Sequence, residues 1–517
     1  MLSRVKNVAH FSLRDPAILI VGFVALILAA VFTWEFRYSA LAVQILPVVA
    51  IAVCIGLLLV PQKRTTVAIA ILAGASIPFA HFALFVAFGE GIQWMHLFGG
   101  LIVIHMIARM FLGSKLSLAP ATPWVIGILL ASFVSILGAF NRPGEYVLEF
   151  WKSEIQLLFA VLVYIAVTQL RIENRHILLL MKILILISVG VALYGFYLLP
   201  ARFYGWPGGV LKLTNISLSA PAQSIGVIFY MIRSSSIFSE PSYYGHYMNG
   251  MIALSLTAAL HRPKIFGSPW IIWLILAIQF LGLLISFAMS AYYMFAIVLF
   301  CVILTESMRN RIKISVSLAL LVVAGLALTF LVEKLTDFQV QKFIFDRVHG
   351  IWLFLLTGDT GYFVGPESVF QRIDTARIAM NVWLDYPILG VGLGGYTLIS
   401  YVYGDINPMG FSANVIVNTF AEMGIVGAVP LFGMMISSLY GAWRIFRFKI
   451  KPTDNDNPEM TEIRLLARMV FFLMLVEVVY FHIQGSFFWP SVWYYLGLGG
   501  LIAVKARRLN NLPAGAS

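Results

Sequence analysis

Runs of about 20 mostly apolar residues, the length that spans a bilayer as a helix, recur along almost the whole chain. That repetition constrains the fold more than any motif does. A chain built of such runs satisfies its backbone polar groups inside each segment and needs no sheet. The runs lie near 17–34, 40–61, 66–88, 92–112, 122–141, 149–169, 177–199, 242–260, 268–286, 289–306, 315–332, 418–443, 465–484 and 488–504. They predict an all-α, polytopic transmembrane bundle of about 14 spans, a single membrane domain over residues 1–517. The split within 268–306 is the least marked, since almost nothing polar separates its two runs.

Composition agrees. Of the 517 residues 61% are hydrophobic and 11% charged, whereas a soluble chain carries about 25% charged residues. The net charge of +12 invites a nucleic-acid partner, but the basic residues stand in short clusters between apolar runs, where they set membrane orientation. The expectation is therefore no nucleic acid, and the lipid bilayer as a constant partner. Both cysteines, Cys54 and Cys301, fall inside apolar runs, which excludes a disulfide framework. The first run follows Arg4, Lys6 and Arg14 like a signal peptide, yet it is long enough to span and more spans follow. It reads as an uncleaved anchor.

Placing the N-terminus inside puts 24 of the 35 Lys and Arg residues on the cytoplasmic connections, and the alternation holds to the end of the chain. Both termini are then cytoplasmic. The cytoplasmic connections are short apart from the polar stretch Lys451–Glu462. Two long segments, 200–241 and 333–417, fall on the extracytoplasmic side. Long loops in compact proteins are usually functional, so the chemistry is expected there. Within the second, Glu333–Leu356 alternates aromatic and charged residues. It reads either as an amphipathic helix on the outer headgroup layer or as a loop helix packed on the bundle.

The first loop ends in Arg233-Ser-Ser-Ser-Ile-Phe-Ser-Glu240-Pro241. The second contains Arg372-Ile-Asp374-Thr-Ala-Arg377, then Asp385-Tyr-Pro-Ile-Leu-Gly390-Val-Gly-Leu-Gly-Gly395-Tyr396. These arginines stand on the side that the positive-inside bias disfavours. A guanidinium stays charged and presents a planar fork to phosphate oxygens, as a lipid diphosphate requires. The plainer alternative is that each anchors a helix end at the headgroups or pairs with a nearby acid. The glycine run lacks the strand-turn-helix context of a dinucleotide site. It reads first as a tight turn or close helix approach, and second as backbone amides turned toward an anion.

With these segments in order, the chain resembles the bacterial O-antigen polymerase and ligase superfamily, especially the Wzy-type polymerases of O-antigen and exopolysaccharide assembly. The resemblance covers about 225–430 and rests on three pieces: RSSSIFSEPSYYGHYMNGMIAL, the arginine segment leading to PILGVGLGGY, and the N-x5-F-A-E-M-G-I-V-G close of the second loop. It implies a GT-C-like membrane glycosyltransferase, independent of metal and without cofactor, that polymerises undecaprenyl-diphosphate-linked oligosaccharide repeats at the periplasmic face of the inner membrane. A chain-length regulator is an implied partner. Arg233 and Arg372 would grip the diphosphate leaving group, with Arg377 assisting. Related ligases carry a His-Asn pair before the E-x-G turn; here that place holds Ala413-Asn414. The missing histidine favours polymerase over ligase and leaves Asn414 to orient the acceptor.

The general base is open. Glu240 is the first candidate, since burial at a loop end raises a carboxylate's pKa toward neutrality; its alternatives are to cap the helix after Pro241 or to pair with Arg233. His246 and Asp374 are further candidates, although a histidine inside a span more often bonds a carbonyl. Glu477 and His482 cannot comfortably face lipid, and they read first as bonded to neighbouring helices, second as lining an acceptor cavity. Three other functions fit the same chain: an O-antigen ligase acting on lipid A-core, a lipid-linked oligosaccharide flippase, and a non-catalytic scaffold of an export machine.

Overall fold

The computed structural model describes residues 62–80, 83–87, 90–139, 144–207, 234–336, 367–404, 414–447, 458–483 and 488–509, together with isolated helical positions at 342, 345, 349, 353 and 357. The first two expected spans, most of the amphipathic stretch after 336, and Arg233 lie outside the described residues.

The fold is helical. α1 (Gln62–Ala75) is followed by a hairpin of β1 (Ala83–Ala87) and β2 (Glu90–Gln93), then by α2 (Trp94–Phe111), α3 (Thr122–Ser135), α4 (Gly144–Thr168) and α5 (Asn174–Tyr204). The order continues with α6 (Pro241–His261), α7 (Pro269–Ile285), α8 (Met289–Thr305) and α9 (Met308–Thr336). α10 (Glu367–Asp385) and α11 (Tyr396–Tyr403) lie within the second long segment, ahead of α12 (Val415–Arg447), α13 (Pro458–Ile483) and α14 (Pro490–Leu509). Each apolar run from the fourth onward corresponds to a helix. The third does not run its full length: α1 stops at Ala75 and an antiparallel hairpin takes over, pairing Phe85 with Ile92 and Ala87 with Glu90. The fold class is all-helical as expected, and this two-stranded hairpin is the exception to it among the described residues.

Punctuation in the sequence sets the ends. Pro241, Pro269, Pro458 and Pro490 each open a helix, where the missing N–H is no loss. Gly205, at φ 67°, closes α5 in the left-handed conformation. α7 and α8 are separate helices, divided by Ser286-Phe287-Ala288 with Phe287 at φ 45°.

Among the described residues five helices are long and apolar enough to cross a membrane: Trp94–Phe111, Gly144–Thr168, Asn174–Arg202, Met308–Ala327 and Val415–Arg447. Large apolar side chains point outward from them, among them Ile104, Ile155, Leu193, Leu320 and Ile436. A soluble monomer rarely leaves so much apolar surface open; this is a membrane protein. Inside, small residues let helices approach. A Cβ on Gly245 of α6 would collide with Ala291 of α8, and one on Gly497 of α14 would meet Val167 of α4 at 2.8 Å. Polar side chains bond across helices, as Gln279 Nε2 to Ser188 Oγ (2.6 Å) and Asn249 Nδ2 to the Ala291 carbonyl (2.9 Å).

Candidate functional site

The residues that open α6 and close α13 meet at one end of the bundle. Glu240 takes the N-cap position of α6 with extended backbone (φ −134°, ψ 148°), yet its carboxylate makes no bond to the helix amides. Glu240 Oε2 instead accepts the Ser242 hydroxyl at 2.9 Å. Two turns into the helix, buried His246 lies with Nε2 3.2 Å from Glu477 Oε2 of α13. Its ring stacks flat on Tyr480, with centroids 3.6 Å apart and planes at 6°. The sequence favoured a carbonyl partner for this histidine; the structure gives it a carboxylate and an aromatic face.

Tyr480 is the centre of this cluster. Its hydroxyl is buried and has no hydrogen-bond partner among the described residues. The charges of Glu240, Glu477 and Arg372 all reach it, as does the Tyr243 hydroxyl. Trp489, at the start of α14, closes the aromatic wall, 5.0 Å from Tyr243 and 6.1 Å from Tyr480. Arg372, from the second long segment, is half-buried here. Two carboxylates, a histidine and a guanidinium thus surround one buried tyrosine, partly desolvated, where electrostatic interactions are stronger than in water.

The other sequence candidates fare differently. Asp374 and Arg377 are exposed on α10. Asn414 caps α12: its Oδ1 accepts the amides of Ile416 (3.0 Å) and Val417 (3.2 Å). That bond supplies Asn414 with a structural role. His482 is exposed and its Nδ1 lies 3.1 Å from the carbonyl of Val478.

Immediately after Arg233 the serine run is pinned. Ser234 Oγ donates to the Gly195 carbonyl (2.9 Å), Ser236 Oγ to the Val191 carbonyl (2.7 Å), and the Ser234 amide to the Ile285 carbonyl (3.0 Å). Ser236 is left-handed at φ 49°. Backbone held in that region by surrounding bonds is a mark of functional segments. Arg202 donates to Ser235 Oγ at 3.0 Å. It is a cation beside this turn that sequence reasoning passed over, although its place on the disfavoured side was a visible signal.

The glycine run does both things the sequence allowed. Gly390, Gly392 and Gly394 all have positive φ (67°, 93° and 76°). The amides of Val391 and Gly392 bond the carbonyls of Ala421 and Glu422, each at 3.0 Å. The amides of Gly394 and Tyr396 and the Asn418 side chain donate to the Glu422 carboxylate. The anion these amides face is therefore the protein's own glutamate, and the FAEMG segment is the seat of the loop. α12 breaks at Gly424 (φ 60°, ψ −158°), and Ile425 N bonds back to the Pro387 carbonyl at 2.9 Å.

A cavity of about 1490 Å³ lies at the opposite end of the bundle, bordered by the α4–α5 connection and the ends of α6, α13 and α14. Next to it, Glu306 accepts His261 Nε2 (2.8 Å), Arg468 Nη1 (2.7 Å) and Asn310 Nδ2 (2.7 Å). Burial pushes the Glu306 carboxyl up, but the bonds from His261 and Asn310 and the charges of His261 and Arg468 outweigh it and hold the group down at about 2. Comparison with protein-family models and with curated proteins finds no match to this chain.

Proposed function

We propose that the chain is a GT-C-like bacterial inner-membrane glycosyltransferase of about 14 spans, with both termini cytoplasmic and its reactive face periplasmic. It polymerises undecaprenyl-diphosphate-linked oligosaccharide repeats. The observation that carries this reading is the convergence of Glu240, Glu477 and Arg372 on one buried tyrosine from three distant stretches of sequence.

In the reaction, the acceptor hydroxyl attacks the anomeric carbon of the donor glycan. The new glycosidic C–O bond forms as the C–O bond to the diphosphate breaks. Undecaprenyl diphosphate leaves with the bonding electrons, and the hydroxyl proton passes to a carboxylate. Arg372 and Arg233 stabilise charge growing on the leaving oxygen, as preorganised cations do most effectively where water is scarce. Glu240 and the Glu477–His246 pair are the groups that would take the acceptor proton. The aromatic faces of Tyr243, Tyr480 and Trp489 suit the apolar faces of sugar rings.

The test is reconstitution. Purified protein in detergent, supplied only with lipid-linked repeats, yields a ladder of longer glycans. Arg372→Gln lowers the rate about 100-fold or more if the guanidinium carries leaving-group charge. Unchanged repeat length with the native protein overturns the polymerase reading. Transfer that occurs only when lipid A-core is added makes the protein a ligase.

A further inference from the structure

The large cavity at the other end is unusually charged. Seven basic side chains line it against three acidic ones. Two of the acids are already paired, Glu173 with Arg175 (2.7 Å) and Glu462 with Arg262 (3.1 Å), and Arg468 is committed to Glu306. Arg171, Arg464, Lys505 and Arg508 remain in excess; of these Lys505 donates to the Ile172 carbonyl (2.6 Å) and Arg508 to Ser117 Oγ (2.7 Å), both neutral acceptors that leave the positive charge uncompensated. Arg508 lies within electrostatic reach of Lys505, and both Arg171 and Arg508 reach Arg109 on α2. Arg171 makes no ion pair with an acid among the described residues and is exposed. Burial and the nearby Arg508 hold the Lys505 ammonium below its ordinary value, against the pull of Glu459, Glu173 and Glu462. Like charges crowded into a concavity repel one another, and an anion relieves that repulsion.

The positive-inside bias accounts for basic residues on this face, but it does not require them to converge. Spread over headgroups they would orient the protein equally well. Here they come from the α4–α5 connection, from the start of α13 and from the end of α14, around a single concavity. We propose that this cavity, with Arg171, Lys505 and Arg508 on its wall, is a binding site for a phosphate-bearing ligand at the inner leaflet. The phosphate comes either from an anionic lipid headgroup, which basic pockets between membrane helices accept, or from a free phosphate compound. The site is independent of the chemistry proposed for the opposite face.

The experiment uses the full chain in neutral detergent micelles and follows fluorescence polarisation of labelled phosphatidylglycerol, with labelled phosphatidylcholine as the zwitterionic control. Phosphatidylglycerol binds in preference, and Arg171→Gln/Arg508→Gln weakens it about tenfold or more, the scale of losing charge-assisted hydrogen bonds. Arg171→Ala alone, at an exposed position, weakens it in the same direction. Arg309→Gln/Lys313→Gln removes two exposed charges on the same face outside the cavity and leaves binding unchanged. Competition by inorganic pyrophosphate identifies a site that takes free phosphate; no competition identifies a lipid headgroup site. Equal binding of the two lipids with no binding of pyrophosphate overturns the proposal, and so does an equal loss in both double variants.

Discussion

At the level of single residues, the contact between His246 and Glu477 explains why two ionisable groups sit inside a membrane bundle. Neither tolerates lipid, and each lies against the other with Tyr480 stacked on the ring. Sequence pointed to Glu240, His246 and Arg372 individually, from their loops and their membrane side. It marked Glu477 as bonded to a neighbouring helix without naming His246 as the partner, and it gave no sign of Tyr480, because residues more than two hundred positions apart become neighbours only through helix packing. A merely structural pair and a proton-accepting pair make different predictions for Glu477→Gln. The amide keeps the volume and a polar contact to His246, so folding changes little. If the carboxylate takes the acceptor proton, polymerisation falls by about 100-fold or more and the acid limb of the rate profile shifts; a thermal melt and a pH-rate profile on the same preparation separate the two.

Glu306 offers a second test at this scale, through stability. Its carboxyl sits at about 2 in the folded protein against 4.5 for the free group. A depressed folded value means the network stabilises fully above about pH 4.5 and is lost as pH falls toward 2. Glu306→Gln removes the charge and leaves Arg468 buried without its counter-ion, a change worth about 3 kcal/mol. Thermal unfolding at pH 7 reads that loss directly. Between pH 4.5 and 3 the native protein's melting temperature falls more steeply than the variant's.

Among elements, the helices were legible wherever an apolar run was bounded by proline, glycine or charge. Even the weakly marked division near 287 was real, because Phe287 in the left-handed region breaks the path between α7 and α8. What failed was the tail of the third run. There Gly89, Glu90 and Gly91 interrupt the apolar pattern with turn residues, and the chain pairs strand to strand instead. Asn414 shows a role that the family pattern did not announce: its side-chain oxygen accepts the first amides of α12 and so fixes the start of that helix.

The glycine run shows how element packing decides meaning. A Cβ on Gly390 would enter the backbone of Glu422, one on Gly424 that of Ile388, and one on Gly138 the Gly390 carbonyl. Three backbone segments therefore touch without side chains between them. Gly390→Ala adds a left-handed penalty of about 1–2 kcal/mol to overpacking of about 1–3 kcal/mol, and it loosens α10 and α11 from α12 together. Gly190→Ala, mid-helix in α5 with open space around it, is neutral or slightly stabilising by the helix preference of alanine. Limited proteolysis should cut the second long segment faster in Gly390→Ala alone.

Over the whole molecule, two independent patterns agree on which connections share a side. Counting charges places the α4–α5 connection, the end of α6, the start of α13 and the end of α14 on one side. The structure brings those same four places around one cavity, while Glu240, Glu477 and Trp489 gather at the other end. No residue pattern forced this; an error of one span between α5 and α14 would have scattered them between the two ends. The arrangement predicts sidedness that can be measured. In a chain with Cys54 and Cys301 replaced by alanine, Glu145→Cys and Arg175→Cys put single thiols at exposed opposite ends of neighbouring helices α4 and α5. A membrane-impermeant maleimide added to spheroplasts labels the thiol at 145 and reaches the one at 175 only after lysis. The reverse result would invert the protein in its membrane. It would put the Glu240–Glu477–Arg372 cluster on the cytoplasmic side, where nucleotide-activated donors rather than flipped lipid-linked repeats are to hand.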